Sequence, residues 1–327
     1  MSLRAFVRCG CVLVLALVAA FVSGTARADN FPSRSIRLIV PAAAGGGLDS
    51  LARIMAQRAS EILGQTIVIE NKPGANFIIG MDMVAKAKPD GYTLLFVSSA
   101  GLTINPILFP NMPLDPMKDL MPVTITTSNP FVLLVNKSVP ATTVSEFVAY
   151  LKKNPGKLNH ASNSASTQLV SELFKMLAGV DYVNVSFRGG GPAALATEAG
   201  DTQLTFVDLA SATNALTSER VRVMAITTPK RYPLQPSIPT LAETGVPGYS
   251  AEAWGVLMAP VGTPDNVVKI LNQAFKKALE HPEVVKRVNA VGNRIVGSGP
   301  DEAKATLAAE AEQWQRVVKE RNVQFGK

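Results

Sequence analysis

Residues Val40–Ile54 read VPAAAGGGLDSLARI, and this stretch decides the fold. Before it, IRLIV (Ile36–Val40) has the β-branched density of a buried strand. After it, Leu51, Ile54, Met55 and Ile62 recur at helical spacing up to Gly64, a suitable stop. Three consecutive glycines bring no side chains to a core and lose much chain entropy on folding, so packing does not explain them. Bare backbone at a helix start has another use. First-turn N–H groups lack partners inside the helix, and small neighbours leave them open to an anion. A plain tight strand-to-helix turn is the alternative.

Strand and helix patterns alternate along the rest of the chain, which predicts an α/β fold with a largely parallel sheet. TIVIEN (Thr66–Asn71), a Pro73-Gly74 turn, a helix near Ile79–Lys86 and YTLLFV (Tyr92–Val97) complete the first units. Pro106, Pro110, Pro113, Pro116 and Pro122 then predict a long surface excursion. FVLLVN (Phe131–Asn136) opens a second set, and Thr143–Glu146 reads as a capping box. Strands come next near Val183–Phe187, Gln203–Asp208, Val221–Thr227 and Trp254–Pro260, and amphipathic helices near Pro264–Glu280 and Pro300–Arg321 close the chain. Two lobes joined by more than one crossing strand are expected: residues 29–129 with 253–327, and residues 130–252.

Residues 1–28 read as a secretory signal peptide. Arg4 and Arg8 precede an apolar run, Cys11–Val22, and Ala26-Arg27-Ala28 has the small-x-small form of a cleavage site. The expected product is a soluble periplasmic monomer cut near Ala28. Cys9 and Cys11 are the only cysteines, so that product contains no thiol and no disulfide. Loss of Arg4, Arg8 and Arg27 lowers the net charge from +7 to +4. No run of Lys and Arg interleaves with aromatics, which argues against nucleic acid as a partner.

Three further segments carry candidate chemistry. In NHASNSASTQLVSELF (Asn159–Phe174), Ser162, Asn163, Ser164, Ser166 and Thr167 crowd a helix start, although capping needs one of them. VSFRGGGPAAL (Val185–Leu195) repeats the order of strand, glycines and helix, with Arg188 and Gly189 at the turn. Arg188 is either a solvated strand-end arginine or a fork of donors for a carboxylate. Asp208, ending a buried strand, either caps the next helix or faces a cleft, and Asp49 either caps its helix or contacts a ligand. The sequence lacks GxxxxGK[ST], HExxH and GxSxG, so no cofactor, metal or catalytic residue is assigned. His160 and His281 read as surface residues.

Together FPSRSIRLIVPAAAGGGLD, VIENKPGANFIIG, AKPDGYTLLF, NPGKLNHAS, FRGGGPA and IPTLAETGVPG resemble the Bug (Bordetella uptake gene) receptors, substrate-binding proteins of tripartite tricarboxylate transporters. The resemblance runs from Phe31 to about Gln324. It implies a two-lobed type II periplasmic binding protein fold with a ligand cleft between the lobes and no enzymatic turnover. The expected ligand is a small organic anion, passed to the permease subunits of the transporter. It also implies that a carboxylate is held at Pro41, Ala42, Ala43, Gly45, Gly46 and Asp49, with Ser162, Asn163, Ser164, Ser166, Thr167 and Asp208 also facing the cleft. Ala42 replaces the family's usual aromatic, Gln168 a frequent histidine and Arg188 a frequent lysine. These departures point to a larger or flatter solute, aromatic or dicarboxylic. A receptor serving a sensor kinase, or an enzyme on the same scaffold, are the alternatives.

Overall fold

The computed structural model describes residues 31–325. The signal-peptide reading of residues 1–28, with both cysteines, falls outside them.

The chain begins β1 (Ile36–Val40), α1 (Gly47–Leu63), β2 (Ile67–Asn71), α2 (Ile78–Ala85), β3 (Thr93–Ser98) and α3 (Ser99–Thr103). Two single-turn helices, Asn105–Leu108 and Pro116–Asp119, break the Pro-rich excursion. Next come β4 (Leu120–Asn136), α4 (Val144–Lys153), β5 (Asn159–Ser162), α5 (Ala165–Ala178), β6 (Val183–Ser186), α6 (Gly190–Ala199), β7 (Leu204–Asp208) and β8 (Val221–Ile226). The chain closes with β9 (Glu252–Pro260), α7 (Asp265–Leu279), α8 (Pro282–Ala290), β10 (Arg294–Ile295) and α9 (Pro300–Arg321).

The strands form one path, β2-β1-β3-β9-β4-β7-β5-β6, with β8 and β10 also on β4. β4 is the link. From Leu120 to Pro130 it pairs with β9, and from Phe131 onwards with β7, so one strand serves two halves of the sheet. The sequence predicts only its second half, because Pro122 reads as part of the surface excursion. Pro122 lies at a register shift, and Pro130 at the exchange of partners, where a missing N–H is tolerated.

Alternation along the strands covers both faces. Leu38 and Val40 of β1 pack with α1 and α7, whereas Ile39 packs with Met81 and Val84 of α2. In the second half, Leu133 and Val135 pack with α4 and α5, while Val132 and Leu134 meet Ala193 and Ala194 of α6. Helices on both faces account for the nearly continuous apolar strands. α9 joins the halves: Ala303 and Leu307 enter a core of the first, Trp314 and Val317 a core of the second.

Local chemistry sets the boundaries. Gly64 takes a left-handed φ of 66° and stops α1. The Thr143–Glu146 capping box forms as expected. His160 contradicts its surface reading. It is fully buried on β5, with Nδ1 2.8 Å from Asn184 Oδ1 and Nε2 accepting from Phe206 N. Burial holds its imidazole neutral by lowering the pKa to about 4.

Candidate functional site

In the first half β1, β2 and β3 run parallel, so Val40, Asn71 and Ser98 end along one edge. Ser98 pairs with Gly255, and Gly255 with Thr127 of β4. In the second half β5, β6 and β7 run parallel and end at Ser162, Ser186 and Asp208; Asp208 pairs with Phe131 of β4. Thr127 and Phe131 lie close together on that strand. Both carboxyl edges therefore end at the level where β4 changes partners. In open α/β sheets that edge, at the point where strand order reverses, is where ligands bind. All the expected site residues lie at strand ends, on loops or at helix starts along these two edges.

The first loop, Pro41–Gly46, is held from below. Pro41 is buried against Gly80 of α2, where a Cβ would stand 2.7 Å from the proline Cβ. Ala42 is half-buried; Ala43, Gly45 and Gly46 are exposed. Gly45 has φ +81°, which favours glycine, and its N–H donates to Asp49 Oδ2 at 2.8 Å. Gly46 N–H donates to Ala43 O. Two amides expected to be open are therefore used inside the loop. The N–H groups of Gly47, Leu48 and Asp49 have no intrahelical acceptor, and Gly46 supplies no side-chain cap.

Asp49 is 2% exposed and acts as the brace of this loop. Besides the Gly45 amide it accepts from Arg53 Nε at 2.9 Å and Asn71 Nδ2 at 2.9 Å, and Asn71 also donates to Ala42 O. The bond from Arg53 is the largest cause holding its pKa down to about 2. Sequence reasoning misses Arg53 and Asn71, although Arg53 stands four residues from Asp49 on one helix face. It also sees only a Pro-Gly turn after β2. Ala75, Asn76 and Phe77 there all have left-handed φ, between 45° and 76°, an unfavourable run for residues with side chains.

The second loop satisfies itself. Ser164 Oγ accepts from Thr167 N at 3.2 Å, and Thr167 Oγ1 accepts from Asn163 N and Ser164 N at 3.0 and 3.1 Å. Ser162 and Thr167 are buried, Ser166 half-buried and Ser164 exposed. Asn163 differs: its Oδ1 is buried without a partner.

The third loop resembles the first. Gly189, with φ +107°, precedes α6 without a side-chain cap. Arg188 is exposed. A Cβ on Gly190 would stand 2.7 Å from Ser211 Cβ and 3.4 Å from Asp208 Oδ2, so Asp208 lies against this helix start. Its carboxylate holds the turn after β7, accepting from Ser211 N and Oγ at 2.9 and 2.7 Å.

A cavity of about 590 Å³ opens elsewhere, under the Pro-rich excursion beside Leu102, Phe109 and Gln315, and touches none of these residues. Among the described residues no cluster of three His, Cys, Asp or Glu could hold a metal, and no helix is long and apolar enough to cross a membrane.

Residues 51–323 match the tripartite tricarboxylate transporter family receptor. The chain belongs to this receptor family. Within it, protein BugT of Bordetella pertussis (strain Tohama I) is 33% identical over 312 residues, covering 94% of this chain and 96% of BugT. Two solved relatives are also 33% identical. Rpa4515 of R. palustris with adipate superposes with a TM-score of 0.73, covering 89% of this chain and 98% of that one. MatC of Rhodopseudomonas palustris with bound malate gives 0.70 over 88% and 100%. The two-lobed periplasmic binding protein architecture of these receptors is the fold of this chain.

Proposed function

We propose that this receptor binds a small dicarboxylate between its two carboxyl edges in the periplasm, leaves it unchanged and delivers it to the permease subunits of a tripartite tricarboxylate transporter. One observation carries the reading: each half of the sheet offers a helix start without a side-chain cap, and both lie at the level where β4 crosses. Two such donor sets suit a solute with an acid at each end. One carboxylate meets the amides of Gly47, Leu48 and Asp49; the other meets the start of α6 and Arg188, a natural bidentate partner. The adipate and malate held by Rpa4515 and MatC support this class of solute.

The lobes of this reading are residues 29–129 with 253–327, and 130–252, moving about β4 and β9 with α9 as a strap. Export with cleavage near Ala28 belongs to the same proposal, and amino-terminal sequencing of the periplasmic protein checks it. The binding test is a thermal-shift series with adipate, malate, benzoate and butyrate, then mass spectrometry of the recovered solute. A diacid at a hundredfold excess over its Kd should add about 2.7 kcal/mol of stability and return intact. Stronger binding of butyrate than of either diacid would overturn the dicarboxylate assignment, and a chemically altered solute would overturn the receptor role.

A further inference from the structure

Glu310 lies on α9, the helix packed into both halves. Its Oε1 accepts from Ser99 Oγ at 3.1 Å and from Trp314 Nε1 at 3.2 Å. Ser99 opens α3 at the carboxyl edge of the first half, and its Oγ also accepts from Trp254 N of β9 at 3.3 Å. Trp314 is buried in a core of the second half. One carboxyl thus ties α9 to the edge of the first half, and Trp314, one turn along the same helix, seats α9 in the core of the second.

Its second oxygen is different. Oε2 is buried and has no hydrogen-bond partner. Beside it lies a cavity of about 290 Å³ lined by Glu252, Trp254, Thr306 and Gln313 among others. The charged group facing Glu310 from β9 is Glu252, which is already paired with Arg294 of β10 at 3.2 Å and bonded to Ser128 of β4. α3 presents Ser99, and α9 itself presents Trp314 and Gln313, all uncharged. Burial first, and the Glu252 charge in addition, raise the Glu310 pKa to about 7 against the opposing bonds from Trp314 and Ser99.

We propose that Glu310 is a positioning residue that holds α9, the helix packed into both halves, against α3 in a pH-dependent way: protonated, it stays packed between Ser99 and Trp314, and ionised, it strains that contact. A buried carboxylate whose second oxygen has no partner is costly, so ionisation favours an arrangement in which water reaches it. A folded-state pKa raised from 4.5 gives stability that is fully present below about pH 4.5 and lost as pH rises through about 7. Rising pH therefore loosens this joint and destabilises the fold in the same direction. The proposal is independent of which solute binds.

Trp254 and Trp314 are the only tryptophans in the chain, and both flank Glu310, so their emission reports on this joint without any ligand. The experiment titrates tryptophan emission of the solute-free protein from roughly pH 5 to 9, for wild type, Glu310→Gln and Glu252→Gln. Glutamine can still accept from Ser99 and Trp314 but does not titrate. The wild type should show a transition centred near pH 7, Glu310→Gln none, and Glu252→Gln a transition moved to lower pH. Hydrogen exchange of the α3 amides, corrected for intrinsic rates, should be about tenfold faster at the alkaline end in wild type and pH-independent in Glu310→Gln. A flat wild-type titration, a transition surviving in Glu310→Gln, or α3 protection with the same pH dependence in both proteins would each overturn the proposal.

Discussion

The starts of α1 and α5 lie on facing edges of the two halves and solve the same problem in opposite ways. At α5, Ser164 and Thr167 exchange hydrogen bonds within four residues, so the cap is supplied locally. At α1, Gly46 offers no cap, and three amides stay open. That openness needs support from elsewhere: Asp49 fixes Gly45, and Arg53 and Asn71 fix Asp49. A hydroxyl-rich start is capped by its own side chains; a glycine-rich start is uncapped and depends on a buried carboxylate held from two other directions.

Breaking the brace should have the largest effect. Asp49→Ala leaves Gly45 N, Asn71 and the nearby Arg53 without their acceptor, and urea denaturation should show a loss of about 3 kcal/mol. The wild-type brace should also be sensitive to acid. Because the Asp49 pKa is lowered from 3.8 to about 2, its contribution is present above pH 3.8 and lost as pH falls towards 2. The milder Asp49→Asn should flatten that part of the stability–pH curve.

Gly46→Val tests openness itself. The backbone there is ordinary, and an added Cβ meets only Ala43 O at 3.3 Å, so stability should change little. Adipate affinity by calorimetry should fall about thirtyfold, or roughly 2 kcal/mol, because the valine methyls stand over the open amides. Unchanged affinity would refute the role assigned to the α1 start.

Arg188→Ala should weaken diacids about tenfold and leave monoacids unaffected, a difference readable in a competition assay. The smallest effect belongs to the capped start. Ser164→Ala should cost about 1 kcal/mol of stability, as loss of a helix cap does, with little change in affinity. A large affinity loss in Ser164→Ala would mean that the second loop contributes to binding directly and the contrast between the two starts would fail.

Much of this arrangement is legible in the sequence. The alternation of strands and helices, the stop at Gly64 and the Thr143 capping box depend on neighbours within a few residues, and they fold as expected. The misreadings have a common cause. Pro122 reads as part of a surface excursion, but β4 passes through it and through Pro130 because a register shift and a change of partner absorb the missing donors. His160 looks solvated because the sequence around it reads as a loop with no acidic partner. Its neighbours in space, Tyr182 and Phe206, bury it between aromatic rings.

The sequence by itself determined the α/β class, the places where helices begin and the small residues that leave one start unshielded, since these arise from local periodicity, caps and backbone sterics. Only the tertiary structure decided how that open start is held, because the partners of its brace arrive from far along the chain. Asn71 reaches Asp49 across 22 residues, and Glu310 reaches Ser99 across 211. No local pattern encodes a hydrogen-bond partner at that separation. It is fixed when the strands take their register and α9 closes over both halves.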